Sequence, residues 1–176
     1  MILPAIAMAL DLDSARAQLA SPSTWCDAAA ALASSRDPLA LAALVDAYDL
    51  PVETSKLCLL EAMETLANDG ALERLHAGDP SRALRAAALV ADARWLPLIE
   101  GSVAVPSTRA QAGEALRLQR RDTAWEESCL RLLVHADPAV RLVAAEMLAG
   151  RKSTAAAVEA RRAVETDEAV RAALSQ

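Results

Sequence analysis

An all-α fold, arranged as an α-solenoid of about five to six helical hairpins, is what this sequence predicts. Three observations carry the prediction. The 176-residue chain is 54% hydrophobic but only 2% aromatic, with no Phe, so its apolar mass is Ala, Leu and Val. Ala and Leu are strong helix formers, and small Ala lets helix axes approach closely. No long alternating β-branched run marks a strand, and the five glycines are expected between periodic segments. Finally, one outline recurs: HADPAVRLVAAEMLAG at 135–150 repeats the pattern of HAGDPSRALRAAALVAD at 76–92.

Aligned on its basic residue, the outline extends along the chain. Arg141 opens RLVAAEML, Arg109 opens RAQAGEAL, Lys56 opens KLCLLEAM, Arg82 opens RALRAAAL and Arg171 opens the shortened RAALSQ. A weaker copy, WCDAAAAL, begins at Trp25. Successive basic positions lie 26, 27, 32 and 30 residues apart, and a period near thirty repeated five or six times indicates stacked helical hairpins in a single domain over 1–176.

Each hairpin takes two helices. Residues 2–19 supply the first helix of the first hairpin and 23–34 the second. The later first helices are expected at 38–48, 71–77, 93–99, 123–135 and 154–165, and the second helices at 53–67, 81–91, 107–118, 139–149 and 168–175. The Asp-Pro pairs explain where the helices start. Asp137 can accept from orphan N–H groups, and Pro138 at the first helical position has no N–H to lose and a φ already set. Asp37-Pro38 and Asp79-Pro80 repeat the device, with Val105-Pro106-Ser107 and Thr166-Asp167 as variants. Within 139–149, Val140, Val143, Ala144, Met147 and Leu148 follow the spacing of one buried helix face. Arg141 sits near a helix start, where the dipole disfavours a cation. It therefore needs a carboxylate, and the turn Asp of an adjacent hairpin is the natural partner. Asp79, Asp137, Arg141 and Arg171 are accordingly expected in a structural ladder.

A net charge of −6 with a pI near 5.0 disfavours nucleic acid, since a duplex presents about one negative charge per 1.7 Å. Cys26, Cys58 and Cys129 are odd in number and far apart, which argues against a disulfide framework or a zinc site; they are expected as small buried hydrophobes. The opening MILPAIAMALDLDSARAQLA lacks a basic leader, is interrupted by Pro4 and runs into Asp11 and Asp13, so it does not read as a signal peptide. No stretch approaches the ~20 apolar residues of a membrane span. A cytoplasmic protein is expected.

DPAVRLVAAEMLAG at 137–150, with DPSRALRAAALVAD at 79–92 and PSTRAQAGEAL at 106–116, resembles HEAT repeats. The short period is similar to bacterial HEAT-like proteins of the phycobilisome-lyase type, since longer HEAT units run ≈ 40–47 residues. The likeness covers nearly the whole chain. It departs at Trp25, which lacks the basic residue, at the short 71–77 helix, and at Pro97 inside RWLPLIE. It implies that second helices line a concave face and that the motif residues are structural.

Chemistry-bearing motifs are sparse. His76 and His135 are 59 residues apart, too far for one metal ion. Glu61 with Glu64, and Glu126 with Glu127, read as solvated carboxylates. GxSxG, P-loop, GxGxxG, HExxH and CxxC patterns are absent from the sequence. Neither a catalytic residue, a metal ligand nor a cofactor is expected. Trp25, Trp95 and Trp125 are expected in the core. Glu61, Glu114 and Glu146 form an acidic column on the second helices, interrupted by Ala87, that could face a basic partner segment. Arg82, Arg85 and Arg109 could meet an acidic one. Arg117, Arg120 and Arg121 could form a basic patch. The reading that follows is a non-enzymatic scaffold or adaptor binding another protein through the concave face, with apolar solenoid ends that invite homodimers. The alternative is a subunit of a bilin-lyase-type or other enzyme complex, which the resemblance implies.

Overall fold

The computed structural model describes residues 12–35, 37–51, 55–68 and 70–176, and the described residues are helices joined by short turns, with no strand. The chain divides into two compact units, Met1–Ala86 and Ala87–Gln176.

The first unit holds α1 (Leu12–Gln18), α2 (Trp25–Ala33), α3 (Pro38–Tyr48), α4 (Leu57–Asn68) and α5 (Ala71–Gly78), and α6 (Pro80–Val90) runs across the boundary. Helix α4 packs against α2, α3 and α5, and α1 packs against α2. Their shared core is made of Leu and Ala, with Leu32, Leu41, Leu44, Leu59, Met63 and Leu66 fully enclosed. Trp25 is buried among them, and its indole N–H donates to the Leu19 carbonyl at 2.7 Å, which satisfies the one polar atom this bulky side chain brings inside.

The second unit continues with α7 (Leu96–Ala104), α8 (Arg109–Leu118), α9 (Thr123–Leu133), α10 (Pro138–Leu148), α11 (Ala155–Val164) and α12 (Glu168–Ala173). Helix α7 packs on α8 and α9, and α10 packs on α9, α8 and α12. Trp125 is completely buried and donates to the Leu116 carbonyl at 2.8 Å. Trp95 is buried too, so all three tryptophans belong to the core. Val170, Ala173 and Leu174 bury α12 against its neighbours, whereas α11 has no buried residue and leaves Val164 67% exposed.

Aspartates start the helices. Asp37 accepts from the Leu39 N–H at 2.8 Å and Asp137 from the Ala139 N–H at 2.9 Å, each ahead of its proline. Asp79, Asp122 and Asp167 cap in the same way, accepting from Arg82, Trp125 and Val170. These side chains satisfy N–H groups that have no partner inside the helix.

Three expectations need correction, and two helix spans fall partly outside the described residues. Gly101 and Gly113 lie inside α7 and α8, not between helices. The helix expected at 93–99 is instead one 3-10 turn at 93–95 followed by α7, which puts Pro97 in a first turn where its missing N–H costs nothing. The helices expected over 2–19 and 53–67 are described only from Leu12 and from Leu57; residues 1–11 and 52–54 lie outside the described residues. Cys26 and Cys58 are not independent buried thiols: they form a disulfide with Cα atoms 5.3 Å apart. Stacking of α2 on α4 brings the two together across 32 residues of sequence, a proximity that linear spacing does not reveal. Cys129 alone is a free, buried thiol, and burial raises its pKa to about 12.

Candidate functional site

Four of the five residues in the basic column, all but Arg82, share a local task. Lys56 donates to the carbonyls of Tyr48 and Leu50, Arg109 to those of Val103 and Ala104, Arg141 to those of His135 and Ala136, and Arg171 to that of Thr166. Each long side chain thus reaches back to carbonyls just ahead of its own helix. At Lys56, Arg109 and Arg141 these include the end of the preceding helix or the turn after it, where helical carbonyls lack internal partners and the dipole favours a cation.

Arg109 also bonds Asp137 of the following hairpin at 2.6 Å. Arg141 takes Glu165, not a turn aspartate, in a bidentate pair at 2.8 and 2.7 Å. Glu165 is fully enclosed and Arg141 nearly so, and Arg161 supplies a second guanidinium at 2.8 Å. Hydrogen bonding from Arg141 holds the Glu165 carboxyl far below the usual carboxylate range. The Asp167 N–H and Arg161 add to this, and burial opposes it. Asp79 bonds Arg82 of its own turn, which holds its carboxyl below the ordinary value.

Two arginines expected at a partner surface are occupied inside the first unit. Arg82 bonds Asp46 at 2.9 Å as well as Asp79 at 2.8 Å. Arg85 grips Asp49 at 2.6 Å. Both sit against the end of α3, where their charge is matched. Arg121 leans over the ring of the buried Trp125, 5.9 Å from its centre. Glu61 and Glu64 lie exposed on α4.

Glu114, Glu146 and Arg109 come together. They line one open groove of about 470 Å3 between α8 and α10. Ala110, Gly113, Glu114 and Arg117 form the α8 wall, and Ala139, Leu142, Val143, Glu146 and Met147 the α10 wall. Both sets recur at i, i+3, i+4 and i+7, so each wall is one helix face. The floor is apolar, and Gly113 and the two alanines bring no bulk, which leaves Leu142 and Val143 half-buried beside the buried Met147. Gly113 lies close enough to Val143 that an added Cβ would meet its Cγ1 at 3.5 Å. The rim is charged. Glu114 pairs loosely with Arg117 at 3.3 Å, and Glu146 is exposed with no hydrogen bond or ion pair among the described residues.

The groove floor was missed from sequence, since Gly113 was expected between helices and nothing singled out Ala110 or Ala139. The signal was the interruption of large apolar residues on the face that carries Glu114. Among the described residues no His, Cys, Asp and Glu cluster could hold a metal ion, and no helix is long and apolar enough to cross a membrane. No protein-family model, curated protein or solved structure matches the chain.

Proposed function

We propose that this chain is a HEAT-like helical-hairpin module that binds another protein, serving as a scaffold or adaptor with no chemistry of its own. The observation that carries this reading is the α8–α10 groove: an apolar floor open to solvent, bounded by Glu114 and Glu146. Exposed apolar surface framed by charge marks a place where a partner is held. The other ionic groups support the reading by what they do instead. Arg141 with Glu165, Arg109 with Asp137 and Arg82 with Asp46 tie helices together, so these charges serve the fold.

Cytoplasmic residence, expected from the sequence, meets one opposing observation. A disulfide such as Cys26–Cys58 persists in oxidising surroundings, whereas a reducing cytosol keeps the same pair as thiols.

The test is affinity capture from the native cell with the wild-type protein and with Leu142→Asp, which places a charge on the groove floor. One stoichiometric protein held by the wild type and lost from the variant supports the proposal. Equal capture by both, or a co-purifying pigment or nucleic acid in place of a protein, overturns it.

A further inference from the structure

We infer that the occupant of the α8–α10 groove is an α-helix carrying a Lys or Arg beside its apolar face, seated so that the cation meets Glu146. This rests on the protein-binding reading above and specifies the partner's chemistry.

The walls argue for a helix. Both are helices whose backbone groups are satisfied internally, so the groove offers no edge of free N–H and C=O groups. An extended peptide would lose water from its own backbone there without replacement. A helix brings its hydrogen bonds with it. The walls also present rows at i, i+3, i+4 and i+7, the ridges between which a third helix fits. Gly113 and Ala110 on one side and Ala139 on the other lower the walls, so that a helix can lie close and reach Leu142 and Val143, with Met147 buried just beneath. Met147 adds a side chain that reshapes easily against an incoming apolar residue.

Charge selects what flanks that apolar face. Arg109 is committed to Asp137 and to two carbonyls, and Arg117 stands within reach of Glu114. Glu146 is the rim charge left unmatched, and it lies near the C-terminal end of α10, where the helix dipole adds to the negative potential. The protein's net charge of −6 works in the same direction at longer range.

The experiment is selection from a display library of random 16-residue peptides on immobilised wild-type protein, after depletion on Leu142→Asp. Parallel selection uses Glu146→Lys, an exposed substitution that leaves the fold intact. The expected pool has apolar residues at i, i+3 or i+4, and i+7, with Lys and Arg enriched over Asp and Glu at one flanking position. On Glu146→Lys that preference inverts. The discrimination between Lys and Glu versions of one selected peptide is expected to be roughly two- to fivefold, the size of an exposed ion pair, and to shrink as salt is raised. A helical pool with no charge preference, or one unchanged by Glu146→Lys, overturns the assignment of the cation while the groove stands. A pool without helical spacing overturns the helix. No enrichment beyond the Leu142→Asp depletion overturns both, and capture of a cellular partner then decides separately whether the protein-binding reading survives.

Discussion

Removing the Cys26–Cys58 link is expected to weaken the first unit by a calculable amount. The two residues are separated by 32 positions, and the closed loop contains the whole of α3. In the chain-entropy description, cross-linking a loop of this length withdraws roughly 12–13 cal/mol/K from the unfolded chain, or about 4 kcal/mol at 25 °C. Domains of this kind have about 5–15 kcal/mol in total, so the loss is a large fraction of the stability. The perturbation is Cys26→Ser with Cys58→Ser, or reduction of the wild type. The assay is urea unfolding followed by circular dichroism, with the slope of each transition compared as well as its midpoint. The shift belongs to the transition of Met1–Ala86, because both cysteines lie there. A change below about 1 kcal/mol at unchanged slope would refute the entropic reasoning. Three free thiols in the unreduced, unfolded protein would refute the link itself.

Four further outcomes follow from the buried groups and the backbone. Arg141→Ala strands the enclosed Glu165 carboxylate and is expected to cost about 3–5 kcal/mol in urea unfolding. A loss under about 1 kcal/mol would contradict the pairing. Because the folded pKa of Glu165 is depressed, its contribution is fully present above the unfolded value near about 4.3 and is lost as pH falls toward the folded value. Stability measured from pH 6 to pH 3 should therefore fall from about pH 5 downward, and Glu165→Gln should flatten that fall. Cys129, with its pKa raised by burial, should resist iodoacetamide at pH 8 in the native protein and react once in urea; native labelling would contradict its burial. Ala91 follows α6 at φ 51°, a left-handed conformation that costs a side-chain-bearing residue roughly 1–2 kcal/mol. Ala91→Gly should raise stability by about 1 kcal/mol, and a loss would contradict that strain.

Helix positions were legible because their signals are local. Asp-Pro sets the start of α3 and α10, and a 3.6-residue apolar period marks the buried face of each. The basic column was legible as a feature, but its partners were not. The place of Arg141 near a helix start calls for a carboxylate and points to a turn aspartate, whereas Glu165, outside the repeated outline, reaches it through the fold. The carbonyl caps made by Lys56, Arg109 and Arg141 carry no sequence signature, since every residue has a carbonyl. The disulfide depends on which helices stack, which spacing alone does not say. Glu114 and Glu146 share a repeat phase and line one groove, but that groove is made by what is small at Ala110, Gly113 and Ala139.

The most direct measurement places a photo-activated cross-linking amino acid at position 146 and, as a control, at the exposed position 127, and irradiates the native cell. The account predicts one protein adduct from position 146, absent from position 127 and abolished by Leu142→Asp. No adduct at 146, or the same adduct from both positions, would contradict a partner seated in the α8–α10 groove.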